Sequence, residues 1–301
     1  MKPHVSTTLS DQVLALRRSH SLREVADKTG IPLGTVKTIC SRSGAFRDNA
    51  QHRALFTLPQ VQPSTSAALT TPELPPQEAV TGDEEIDAVL WLRKVIETGQ
   101  APLIEKAKLA AQRIKTPLKE LEDRYLKHLV SKNPGNWTVA LQTFGFADLE
   151  GLAQSSTDRL TRQHEAIAMF GSMEGVFAKT PAEDFCIEAL AGLKREKFMA
   201  YNESKVDARF NARQDLMPRT LSDCLYELSY WRDLYSLRAA FPNSGDHWPE
   251  VQARDDFAFR SLARIRPRSR DEAITVLRYL ADSDAMDRAE ANDILLNLIG
   301  R

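Results

Sequence analysis

Several chemistries are excluded by what this chain lacks. It holds only three cysteines, Cys40, Cys186 and Cys224, far apart and with no Cys-x-x-Cys pair. That pattern supports neither a disulfide framework nor a thiolate metal site, and the three read as reduced, small apolar residues. There is no Gly-x-Gly-x-x-Gly, no Gly-Lys-Ser/Thr and no Gly-x-Ser-x-Gly, which removes the dinucleotide loop, the phosphate loop and the hydrolase elbow. His164-Glu165 opens like a zinc-protease helix, but the second histidine of that motif would fall on Ala168, so two ligands cannot share the face. No catalytic residue, metal or cofactor is expected, and the chain is not read as an enzyme. Apolar runs of the roughly twenty residues that span a bilayer are missing, as is the apolar core of an export signal in the first ten residues. A cytoplasmic protein without a membrane partner is expected. Neither period-two alternation nor Asn-Gly hairpin signals occur, so the fold class is all-α.

What is present centres on residues 21–43, SLREVADKTGIPLGTVKTICSRS. Ser21 and Glu24, three apart, form a capping-box signal for a helix starting near Leu22. Gly30 can take the left-handed conformation that ends a helix, and Pro32 stops one helix while fitting the start of the next. The second helix runs to about Arg42. Leu22, Val25, Ala26, Ile31, Val36 and Ile39 then face inward, with small Ala26 at the close approach of two steeply crossing helices.

The order Ala26, Gly30, Val36, Ile39 resembles the general helix-turn-helix of DNA-binding proteins, over about twenty residues. Gly34–Lys37 (GTVK) followed by Arg42 is similar to the recognition helix of sigma-factor region 4 and of response-regulator domains. The resemblance implies that the second helix enters the major groove with Leu33, Thr35, Lys37, Thr38, Ser41 and Arg42 outward. Lys37 and Arg42 suit guanine edges or phosphates, and the threonines suit hydrogen bonds or a thymine methyl. A plain packing hairpin or a protein-binding module is the competing reading.

Charge favours DNA. Residues 1–55 carry nine Lys or Arg (Lys2, Arg17, Arg18, Arg23, Lys28, Lys37, Arg42, Arg47, Arg53) against Asp11, Glu24, Asp27 and Asp48, an excess that would release counterions from a duplex. Residues 10–19 fit a supporting helix capped by Ser10, with Arg17 and Arg18 at its end reaching either phosphate or their own helix dipole. Phe46, Leu55, Phe56 and Leu58 suggest a further segment closing the small core, and Arg47 and Arg53 are expected to flank the DNA. The head, residues 1–58, is small enough to be marginal alone.

Residues 59–85 hold five prolines, five acids and no basic residue. Such a segment has little to bury and reads as a flexible, disordered Pro-rich linker that tethers the head loosely. Residues 86–301 read as an all-helical body, a bundle of antiparallel helices with proline at several starts. The ordering of its helices resembles no known family. Its aromatic stripe, Tyr226, Tyr230, Trp231, Tyr235 and Phe241, could stack bases, but its interleaved leucines favour a buried helix. Arg264, Arg266, Arg268 and Arg270 read first as a solvated helix joint and second as the body's best phosphate contact.

The expectation is therefore a sequence-specific duplex-DNA-binding protein, a transcriptional regulator of prokaryotic type, whose body serves dimerisation or protein contact. A homodimer would multiply the few base contacts of one head. A second reading makes it a DNA-tethered scaffold whose body binds another protein, and a third makes it a non-catalytic subunit of a recombination or packaging machine.

Overall fold

A computed structural model describes residues 9–17, 20–44, 46–61, 73–196, 200–242 and 244–300. All regular elements among them are helices, and the fold is all-α. The chain divides into two compact units. One contains Met1–Pro59, Ala178–Tyr235 and Gly245–Arg301, the other Gln60–Phe177 and Ser236–Ser244.

The first unit opens with α1 (Leu9–Arg17), α2 (Leu22–Thr29) and α3 (Leu33–Ser43). The capping box at the start of α2 is formed in both directions. The Glu24 N–H donates to Ser21 Oγ at 3.2 Å and the Ser21 N–H to Glu24 Oε2 at 2.6 Å. Gly30 closes α2 at φ 69° and Gly44 closes α3 at φ 68°, a region where a Cβ would clash with the backbone. Val13, Val25 and Val36 are wholly buried between the three helices, with Cys40 beside them. Each valine contributes about 1.5–3 kcal/mol relative to exposure. A short α4 follows, Ala50–Leu55, capped by the Asn49 side chain.

The second unit holds α5 (Glu84–Ile96), α6 (Ala101–Ala111), α7 (Leu118–Lys132), a 3₁₀ turn at Trp137–Thr143, α8 (Leu149–Phe170) and α9 (Met173–Phe177). Helix α5 is amphipathic on two sides. Leu92, Val95 and Ile96 pack on Ile104 and Ala107 of α6 and on Leu149 and Ala153 of α8, while Ile86 and Val89 pack on Leu121 and Tyr125 of α7 and on Phe146. The polar residues within α8 do not break it, because Ser155 Oγ and Thr157 Oγ1 donate to carbonyls of their own helix.

The expected linker falls partly outside the described residues, at 62–72. Residues 73–82 are described, and they lie against α5 by specific bonds. Trp91 Nε1 donates to the Pro75 carbonyl at 2.8 Å, Lys94 pairs with Glu78 at 2.6 Å, and the Asp87 carboxylate accepts from Thr81 and Gly82. Trp91, Lys94 and Asp87 supply partners on α5 that a composition-based reading of the segment does not count.

The remaining helices are α10 (Pro181–Ala189), α11 (Glu203–Asn211), α12 (Leu221–Ala239), α13 (Pro249–Arg264), α14 (Arg270–Asp282) and α15 (Ala291–Leu298). Leu221, Cys224 and Leu228 of α12 meet Ala258, Phe259 and Leu262 of α13, Val276 and Leu280 of α14 and Ile294 of α15. The aromatic stripe of α12 is mainly core: Tyr230 and Trp231 are buried, and Tyr235 alone is largely exposed.

Helix α4 explains why the first unit joins residues 1–59 to much later segments, rather than dividing at 58 and 85 as expected. His52 Nε2 lies 2.7 Å from Glu227 Oε2, and Arg254 donates to the same carboxylate through Nε at 2.6 Å and Nη2 at 2.8 Å, all three side chains being fully buried. Burial opposes the Glu227 charge, but the Arg254 guanidinium and the two partners' hydrogen bonds outweigh it and hold its carboxyl below the usual range. Phe56 packs edge-on against Tyr230 and Trp231 at 5.7 and 5.6 Å. The Asn49 amide also donates to the carbonyls of Asp215 and Met217, both at 2.8 Å. Residues 49–56 are thus part of this unit's core.

Candidate nucleic-acid interface

Helix α3 is two-faced for a simple reason of spacing. Val36 and Cys40, four apart, point to the core with Ile39 packed partly against it, and the polar residues between and beyond them are left outside. Burial also pushes the Cys40 thiol up, as suits a packed rather than reactive sulfur. Thr35, Lys37, Thr38, Ser41 and Arg42 are all exposed, and Leu33 in the first turn is half-buried. No acidic residue occurs anywhere in α3. Five of the six residues expected outward on α3 are thus exposed and polar, and Leu33 is the exception.

Local bonds order part of it. Thr38 Oγ1 donates to the Gly34 carbonyl at 2.9 Å, which leaves its hydroxyl oxygen able to accept from outside. Arg47 Nη2 donates to Ser41 Oγ at 2.7 Å, so Arg47, although past the helix end, is drawn back over its last turn. On α2, Arg23 and Lys28 are exposed as well. The only acids of α2 are Glu24 and Asp27. The Ser21 backbone and side-chain hydrogen bonds hold Glu24's carboxyl below its usual range, so it stays a committed cap.

The other expected contacts fall elsewhere. Arg17 is half-buried, donates to the His20 carbonyl at 2.8 Å and lies over the Phe46 ring at 5.5 Å. Arg18 lies outside the described residues. Arg53 does not flank the α3 surface. Its guanidinium pairs with Asp223 at 2.8 Å and Asp48 at 2.9 Å and lies over Tyr226 at 5.2 Å, because α4 faces α12. Sequence reasoning missed Arg219, whose Nη1 stands 3.5 Å from where a Cβ on Gly44 would be, at the end of α3. No sequence signal links residues 175 positions apart.

Two further features are independent of α3. A cavity of about 880 Å³ in the first unit is lined by Trp231, Tyr235, His247 and Tyr279 together with Asp255. Burial and the neighbouring Asp256 carboxylate push Asp255 up to about 7, with Arg288 opposing them. In the second unit, Trp137 and Phe144 are 76% and 88% exposed, with Leu141 beside them in sequence on the same turn. Among the described residues, no group of three or more His, Cys, Asp or Glu side chains is arranged to hold a metal ion, and no helix is long and apolar enough to cross a membrane.

No known protein family matches this chain, and neither a curated protein nor a solved structure resembles it significantly.

Proposed function

We propose that the chain is a cytoplasmic, sequence-specific duplex-DNA-binding protein of the helix-turn-helix kind, acting as a transcriptional regulator of prokaryotic type. The observation that carries the reading is the outer face of α3, where Thr35, Lys37, Thr38, Ser41 and Arg42 are exposed together with no acid on the helix. That combination suits a major groove. Lys37 and Arg42 offer donors to guanine edges or phosphate, and the hydroxyls of Thr35, Thr38 and Ser41 can both donate and accept at base edges. Leu33 at the first turn supplies an apolar contact. Arg47, held over Ser41, adds a phosphate contact at the helix end.

In vitro selection of duplexes from a random library by the full chain tests it. The expected result is a recurrent motif, lost when Lys37→Ala and Arg42→Ala are combined. Sequences enriched equally by that variant, or no enrichment, would reject the reading.

A second reading rests on the second unit. The exposed Trp137 and Phe144 suit an interface anchored by aromatic side chains, as a DNA-tethered scaffold or a regulator with a protein partner would need. Trp137→Ala/Phe144→Ala would then abolish self-association or partner capture while leaving DNA binding intact.

A further inference from the structure

The first unit contains a second cationic surface that the linear sequence divides among three distant segments. A cleft of about 520 Å³ is lined by Arg17, Arg219, Arg264, Arg266 and Arg268, and no acidic residue lines it. Phe46, Met217 and Phe257 form apolar parts of its wall. The size falls within the range of small-ligand sites.

The arginines differ in what they already touch. Arg264 pairs with Asp207 at 2.6 Å, and Arg268 with Asp48 at 2.9 Å and Glu272 at 2.8 Å. Asp207 is shared with Arg260, and Asp48 with Arg53, which also holds Asp223. Around the cleft, seven arginines (17, 53, 219, 260, 264, 266 and 268) thus face four carboxylates (48, 207, 223 and 272). Arg17 donates to the His20 carbonyl. Arg219 and Arg266 pair with no carboxylate among the described residues.

A solvated helix joint would account for arginines that point apart into water. It does not account for five lining one cleft, three of them (Arg17, Arg219 and Arg266) with no carboxylate partner among the described residues. Like charges gathered in a concave, partly apolar site repel one another, and an anion entering it removes that cost. The guanidinium fork matches phosphate in particular, because two parallel N–H donors meet two oxygens. We infer that this arginine-lined cleft is a phosphate-binding site, taking either a small phosphorylated molecule or a backbone phosphate of nucleic acid. The inference does not depend on α3 contacting DNA.

The test uses the full chain and two probes, the first at constant ionic strength. Inorganic pyrophosphate is titrated by calorimetry and by thermal shift, and a random-sequence duplex is bound over a salt series. Each is repeated with Arg219→Ala/Arg266→Ala. Neither residue holds a carboxylate, so removing them strands no buried acid; Arg219→Gln alone serves if the double variant does not melt cooperatively.

Saturable pyrophosphate binding by the native chain is expected, weakened about tenfold for each arginine removed, as loss of a charge-assisted hydrogen bond implies. A salt slope reduced by about 2 in the double variant assigns the phosphate to a nucleic-acid backbone. An unchanged slope with pyrophosphate binding lost assigns it to a small phosphorylated ligand. Absence of saturable binding to the native chain, or equal binding by the variants, overturns the site.

Discussion

Helices α3 and α4 stand seven residues apart and both carry basic side chains and no acid, yet they do opposite things. Helix α3 leaves Thr35, Lys37, Thr38, Ser41 and Arg42 in water. Helix α4 spends its polar groups internally: Asn49 and His52 are buried, and Arg53 is paired twice. The same basic count in residues 1–55 therefore holds two populations of charge. What separates them is which carboxylates the rest of the fold brings near. Asp223 and Glu227 of α12 neutralise the α4 side, and no described carboxylate pairs with Lys37 or Arg42.

The sharpest way to break this contrast is to damage the α4 side. Glu227→Ala leaves Arg254 charged among Phe56, Phe185, Phe210 and Phe257, with guanidinium-to-ring distances of 4.9–5.5 Å. A loss of about 3–5 kcal/mol is expected in urea unfolding, the usual cost of orphaning a buried charge. Phe56→Ala should cost a similar amount by emptying the aromatic cluster. A loss below 1 kcal/mol for both would mean that α4 is not packed as described.

A pH effect of intermediate size comes from Asp255. Its carboxyl holds a proton up to about pH 7 in the folded chain, whereas an unfolded aspartate loses it near pH 4. Between those values the folded state binds the extra proton, so stability falls as pH rises and is fully present only below the unfolded value. Asp255→Asn, which cannot ionise, should therefore melt higher than the native chain at pH 8 and alike at pH 4. An equal difference at both pH values would remove Asp255 as the source.

Ser21→Ala removes one half of the capping box and should cost about 1 kcal/mol. Its effect on duplex binding, if α2 and α3 act together, should follow the loss of folded head and be reversed by stabilising conditions. Smallest of all, Lys37→Ala/Arg42→Ala should change stability by no more than about 0.5 kcal/mol, because neither side chain is in a packed or paired position.

Much of the head was legible because its signals are local. Ser21/Glu24, Gly30 and Pro32 lie within twelve residues, and each acts on backbone groups next to it, so the boundaries of α2 and α3 could be read directly. The all-helical body was legible for the same reason, from apolar spacing and helix-starting prolines. The destination of α4 was not. Asn49 and His52 resemble ordinary polar loop and helix residues, and Phe56 reads as closing the small head core, until Asp223, Glu227 and Trp231, more than 170 positions later, are placed beside them. The arginine cleft was half legible: Arg264, Arg266 and Arg268 stood out by density, whereas Arg17 and Arg219 join them only through the fold. The bonds of residues 73–82 to α5 are not legible in the sequence, because composition does not reveal that Trp91, Lys94 and Asp87 hold partners for them.

The salt dependence of binding decides whether the exposed face of α3 meets duplex DNA as proposed. Binding of the full chain to a random duplex is measured between about 50 and 200 mM salt, beside Lys37→Ala/Arg42→Ala shown by urea unfolding to be equally stable. The native chain is expected to bind with a steep salt slope and the variant more weakly, with a slope smaller by about 2. Equal slopes and affinities for the two chains, or no binding by the native chain at the lowest salt, would contradict it.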